Sequence, residues 1–265
     1  MRRRPRGGRW HPHQPWTARL RDGSDDMRRG DERGGALLDA LLEGRPDPGL
    51  AARAASGLDL PERGRYAVAV LRAGLGGPAG VAMEADGLRF LRRRRADREC
   101  VVVALGDRDP AALVALLVRC CPGPGGIGPV ADGLVEVGAA RRLAELALLT
   151  CPPGTTEIVR LEDRLPTALV VSQPELSARL VADVFGPLLE LDPADRALLV
   201  RTLEAWLECG GSAGRAAGRL YCHRNTVLNR LRRLERLTSR SLSRPRELIE
   251  MMLALDAFRL TAPHP

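Results

Sequence analysis

The chain has 265 residues, 45% of them hydrophobic and only 3% aromatic, and carries a formal net charge of +8. That length suits about two domains with cores built mainly from Leu, Val and Ala, and the positive balance favours a polyanionic partner. No run approaches the roughly 18 apolar residues of a membrane span, and the leading MRRRPRGGRWHPHQPW lacks the apolar core of a secretory signal, so a cytoplasmic protein with no membrane partner is expected.

Residues 1–35 combine Arg, Gly, Pro and Asp with few aliphatic residues, and are expected to form a disordered leader, because such a segment cannot bury enough surface to offset its ordering entropy. From 36 the pattern becomes globular. ALLDALLEG and GLAARAASGL predict short helices ended by glycine. Tyr66–Leu71 and Glu99–Leu105 predict buried strands, and Leu88–Leu91 a further strand running into the arginine block 92–95, which is expected to be a solvated strand end. Asp109 before Pro110 predicts the cap and first turn of a helix reaching about Cys121. The segment PGPGGIGPV predicts a loop or short edge strand. Its GPGGIG lacks the Lys-Ser/Thr that a phosphate-binding loop needs, which leaves a plain turn. A helix over 133–149 and a brief strand at 157–161 complete an α+β domain spanning 36–161.

Beyond Leu161 the pattern is helical: Leu165–Val171, Glu175–Phe185 and Ala194–Glu208, then a basic helix pair, then Pro245–Leu260. Pro174, Pro187 and Pro193 are expected to break the run and mark helix starts. Residues 162–190 are read as a helical connector and 191–262 as a separate all-α domain, with the boundary between about 161 and 190.

The most informative window is 212–246, which holds ten arginines and a single acidic residue, Glu235. Ser212 is placed to cap a short Ala-rich helix, Ala213–Leu220, whose Ala216, Ala217 and Leu220 allow a close approach to a neighbouring helix. A tight break at 220–223 precedes a longer helix from Arg224. At about 100° per residue, Leu231 and Leu234 fall within about 40° of Val227 and form a buried stripe. Asn225, Asn229, Arg232 and Arg236 fall on the opposite side, flanked by Leu228 and Arg233.

Asn can pair with adenine edges and Arg with guanine edges or phosphates, so this face has the residue types that read a major groove. Arg215, Arg219, His223, Arg224, Thr226, Arg230 and Arg233 complete the candidate DNA-binding set; His223 and Thr226 suit phosphate contact or capping, and Arg215 and Arg219 suit a backbone clamp. A solvated amphipathic helix, or a basic module for an acidic protein without sequence-specific DNA binding, is the alternative that patterning leaves open.

The run HRNTVLNRLRRLERLT, preceded by LEAWLECGGSAGRAAGRLY and followed by LIEMMLALDAFRL, resembles the C-terminal domain of PucR-type (CdaR-like) bacterial transcription factors over roughly 156–260. The resemblance implies a helix-turn-helix and double-stranded promoter DNA as partner, and leaves room for a small-molecule effector whose identity is not readable; one recognition helix covers only about half a turn of groove, so a homodimer on paired half-sites is expected. Leu228-Asn229 stands where the family pattern has Arg-Tyr, so no operator sequence is carried over. The same turn is similar to that of the factor-for-inversion-stimulation group, which leaves nucleoid-type DNA bending as an alternative. Residues 50–155 resemble, more weakly, the degenerate GGDEF-like domain that precedes this module in the family.

No GGDEF or GGEEF signature is present, and Gly106-Asp107 lacks the paired acidic loop that would hold a divalent metal and a nucleotide, so no enzyme and no cofactor are expected. The histidines are His11, His13, His223 and His264, so no His-based triad or zinc site can be assembled in the folded part. None of the six cysteines forms a CxxC pair, and scattered buried thiols are expected.

Overall fold

The computed structural model describes residues 26–261, apart from 46, 73–81, 86, 122 and 153; most of the expected leader, 1–25, lies outside the described residues. The chain divides into two compact units, with the division between Asp163 and Arg164.

The first unit is α+β. Its helices are α1 (Asp26–Glu43), α2 (Leu50–Leu58), α3 (Pro110–Cys120) and α4 (Val137–Leu149). Its strands are β1 (Arg63–Leu71), β2 (Ala82–Ala85), β3 (Leu88–Arg95), β4 (Arg98–Ala104), β5 (Gly125–Ile127), β6 (Ala131–Gly133) and β7 (Ile158–Arg160). The sheet order is β2-β3-β4-β1-β5-β7, with β6 also pairing β1, and only β5 and β7 run parallel. Side chains alternate across the sheet, so successive residues of β1 serve two cores. Tyr66, Val68 and Val70 join Leu91, Cys100 and Val102 under α1, α2 and α4. Ala67, Ala69 and Leu71 join Phe90, Val101 and Val103 under Leu113, Leu116 and Leu117 of α3. Asp109 caps α3 by accepting from the Ala111 amide at 2.8 Å.

Several details of this unit differ from the sequence reading. Helix α1 starts at Asp26, inside the expected leader, and buries Gly34 and Gly35: Gly34 lies against Leu58, and Gly35 against the Arg93 guanidinium, which a Cβ there would crowd. The GPGGIG segment is neither a turn nor an edge strand. It supplies β5, between β1 and β7, because a Cβ on Gly126 would overlap the Ala144 carbonyl and the Leu148 amide, and one on Gly128 the Ala140 carbonyl. The missing side chains let α4 lie directly on the strand. The arginine block 92–95 is largely consumed by carboxylates rather than solvated. Arg92 is buried and bonds Glu99 at 2.7 Å, Arg93 meets Asp39 at 2.6 Å, and Arg95 meets Asp39 and Glu43 at 3.0 and 2.9 Å.

The second unit contains α5 (Leu165–Ser172), α6 (Pro174–Leu189), α7 (Pro193–Glu208), α8 (Ala213–Arg219), α9 (Arg224–Thr238) and α10 (Pro245–Thr261). The expected connector, 162–190, includes α5 and α6, and α6 is integral to this unit's core: Val184, Phe185 and Leu188 pack with Leu199, Leu203, Leu234, Met251 and Leu255. Phe185 also meets Phe258 edge to face at 6.1 Å. Pro174 and Pro193 open α6 and α7, the latter with Asp192 accepting from the Ala194 amide. Pro187 does not break the run; it lies inside the last turn of α6, where burial of Leu188 holds the helix to Leu189. Among the described residues no helix is long and apolar enough to cross a membrane.

Candidate nucleic-acid interface

The geometry around α8 and α9 begins with two consecutive left-handed glycines. Gly210 (φ 61°) and Gly211 (φ 76°) end α7, and the Gly211 amide returns to the Trp206 carbonyl at 2.9 Å. Ser212 then caps α8 by accepting from the Arg215 amide at 3.3 Å. Ala213, Ala216 and Ala217 are buried against Ala205 of α7 and Val227 and Leu231 of α9, so alanine supplies the small surface at which three helices converge.

The break between α8 and α9 turns on Tyr221, which adopts a left-handed conformation (φ 51°) and leaves its ring 97% exposed. The Cys222 amide returns to the Ala217 carbonyl at 3.0 Å. His223 starts α9: its Nδ1 accepts the Asn225 amide at 3.2 Å, which puts the neutral ring's proton on Nε2.

Along α9, Val227, Leu231, Leu234 and Thr238 are buried. Arg224, Asn225, Asn229, Arg232 and Arg236 are exposed, while Thr226, Leu228, Arg230 and Arg233 are half-buried on the flanks. Arg215 and Arg219 are exposed on α8. The candidate set is thus brought onto two adjoining helices, with both asparagines outward.

Not all of its arginines are equally available. Arg219 pairs with Glu208 at 2.7 Å and Arg233 with Asp195 at 2.8 Å, ties that lead back to α7. Among the described residues, Arg215, Arg224, Arg230, Arg232 and Arg236 have no carboxylate partner. Such pairing is not readable from a linear sequence, because Asp195 is 38 residues from Arg233.

Two open grooves flank α9. One, of about 530 Å³, is lined by Trp206, Ser212, Arg224, Arg232, Glu235 and Ser243 among others. The second, of about 520 Å³, is lined by Arg232, Arg236, Ser239, Arg240, Arg244 and Glu247 among others. The segment 239–244 therefore borders the candidate recognition helix, a neighbour the sequence reading left out of the site. Its arginine content and the solitary Glu235 were the available signals.

The comparison with known families falls on this geometry. Residues 199–257 match the PucR C-terminal helix-turn-helix domain. The match runs from the middle of α7 through most of α10, so it takes in the capping glycines, α8, the Tyr221 turn and the exposed face of α9. An uncharacterized protein of Mycobacterium tuberculosis is 28% identical over 169 residues, covering 62% of this chain and 40% of that protein. The purine catabolism regulatory protein of Bacillus subtilis is 41% identical over 139 residues, covering 51% of this chain and 26% of that protein. The chain thus spans well under two thirds of the length of these relatives. The crystal structure of a regulator of polyketide synthase expression from Bifidobacterium adolescentis aligns with 88% of this chain at a TM-score of 0.41 and 19% identity, a level at which nothing is carried across. What is shared with these regulators is thus the PucR-type domain at 199–257 and, with the Bacillus subtilis protein, a 139-residue stretch.

Proposed function

We propose that this chain is a transcriptional regulator that binds promoter DNA through α8 and α9, with α9 in the major groove. The observation that carries the reading is the exposed stripe Asn225, Asn229, Arg232 and Arg236, backed by buried Val227, Leu231 and Leu234, inside the PucR-type domain. Arginine–phosphate contacts release counterions and supply most of the affinity, while Asn225, Asn229 and Arg232 discriminate bases. His223 is spent on the cap of α9, so its part is to fix the helix start.

A single recognition helix covers about half a turn of groove, so a homodimer on paired half-sites is part of the proposal, as is a cytoplasmic location. The α+β unit is assigned sensing of an effector or dimerisation, on the strength of its place before the DNA-binding unit.

The test is selection of bound duplexes from a randomised pool, followed by affinity measurements on the selected sequence and on random DNA. Asn225→Ala or Arg232→Ala should cost about 1–3 kcal/mol on the selected sequence and relax preference at one base pair. Equal losses on selected and random DNA would make these residues backbone contacts and remove the assigned base readout. Failure of the pool to yield any preferred sequence would instead favour architectural DNA bending.

A further inference from the structure

The basic window contains one acid, and the structure gives it a specific job. Glu235 lies on the groove side of α9, where its Oε1 accepts the Leu242 amide at 2.8 Å and the Ser241 hydroxyl at 3.4 Å. From the other side Glu247 of α10 accepts the Ser241 amide, and that bond together with Arg244 holds the Glu247 carboxyl below its ordinary range. Two carboxylates from two helices thus fasten the 239–244 segment by its own backbone, after Ser239 has ended α9 in a left-handed conformation (φ 52°).

The fastened segment presents Ser243 to the groove that Arg224 and Arg232 line, and Arg244 to the groove that Arg232 and Arg236 line. Arg244 and Arg246 have side chains 74% and 93% exposed, and among the described residues their carboxylate neighbours are Glu247 at 2.9 Å and Glu250 at 3.5 Å. Exposed pairs of this kind are screened by solvent and yield readily to a phosphate, which arginine can grip with two parallel N–H donors.

We infer that residues 243–246 form a second phosphate-binding rim beside the recognition helix, held in place by Glu235 acting as a latch. This rests on the DNA-binding reading above and extends it. One DNA strand would run along the flank of α9 that carries Arg224 and Arg232, and meet Ser243, Arg244 and Arg246 after it has passed the helix. The rim reads no bases. It adds affinity on any sequence and fixes how far α9 can roll in the groove. Glu235 is a positioning residue with no DNA contact of its own.

The experiment measures binding of the full chain to a random-sequence duplex, several helical turns long, over a range of salt concentrations. The double variant Arg244→Ala/Arg246→Ala should flatten the slope of log K against log salt by about 1.8, at about 0.9 per lost phosphate contact, with equal losses on random and selected DNA. Glu235→Ala raises the net positive charge, yet should flatten the slope as well, because the rim is released. Glu235→Gln keeps a carbonyl acceptor for the Leu242 amide and should restore it. Circular dichroism of each variant reports whether the helices persist; if Glu235→Ala does not fold, the double variant alone decides. A double variant that keeps the wild-type slope overturns the rim, and a folded Glu235→Ala protein that binds as steeply as wild type, or more so, overturns the latch. If the wild-type chain itself shows no salt-dependent duplex binding, the underlying DNA reading fails instead.

Discussion

Salt concentration is the perturbation that most directly tests how the arginines are divided. Of the ten in 212–246, Arg219, Arg233, Arg240, Arg244 and Arg246 lie beside carboxylates, and Arg215, Arg224, Arg230, Arg232 and Arg236 do not. Each phosphate contact contributes about 0.9 to the slope of log K against log salt on duplex DNA. With Arg232 kept for base readout, the other four unpaired arginines alone predict a slope near −3.6 per bound domain, or about a 150-fold loss of affinity between about 50 and 200 mM salt. Adding Arg244 and Arg246 of the rim predicts about −5.4 and a loss of about 1,800-fold. If all ten gripped phosphate, the slope would be about −9 and the loss above 10⁵-fold. Fluorescence anisotropy with a labelled duplex, with the stoichiometry fixed by titration at low salt, separates these values. A slope shallower than about −2 would refute the phosphate-contact mechanism. One near −9 would refute the division, because it would require the ties from Arg219 and Arg233 to α7 to open on binding.

Four further outcomes follow from the packing and the charges. Gly126→Ala should destabilise the α+β unit by about 3 kcal/mol or more, read as a lowered melting temperature, because its Cβ meets backbone atoms of α4 that cannot rotate away. Leu231→Ala should cost about 2–5 kcal/mol in the helix-turn-helix unit and weaken selected and random DNA alike, since it loosens the floor beneath α9 rather than its face. Tyr221→Gly relieves a left-handed backbone that disfavours side chains, so stability should hold or rise by up to about 1 kcal/mol; a fall would reveal a packing role for an almost fully exposed ring. Burial raises the Asp39 carboxyl, but hydrogen bonds and charge from Arg93 and Arg95 outweigh it and leave it below its ordinary range. Its stabilising effect is therefore complete above the unfolded carboxylate range and is lost as pH falls through the lower folded value. Thermal melts at neutral and strongly acid pH should show a smaller acid loss for Asp39→Asn than for wild type.

Patterned burial made much of the molecule legible in the residues. Val, Leu and Ala runs marked β1 and β4, Asp109-Pro110 marked the start of α3, and Val227, Leu231 and Leu234 marked the buried side of α9 before any coordinates. What escaped were properties of spatial neighbours. GPGGIG could not be read as a strand, because its composition encodes a close approach by α4 and not a strand preference. Arg93 and Arg95 could not be read as paired, because Asp39 and Glu43 lie more than fifty residues away. Pro187 was tolerated because it falls in a last turn whose hydrophobic anchor, Leu188, is set by tertiary packing. The same limit hid the 239–244 segment beside α9, since it takes Glu235 and Glu247 together to bring it there.

Between 212 and 246 every cationic side chain is a guanidinium, with His223 committed to a cap. Arginine stays protonated at any pH a cell reaches, and it offers no amine for acetylation. The positive charge of these guanidinium groups is therefore insensitive to pH and to acetylation. In the proposed dimer, a signal that leaves these charges untouched acts through the spacing or orientation of its two surfaces, not through their attraction for the duplex.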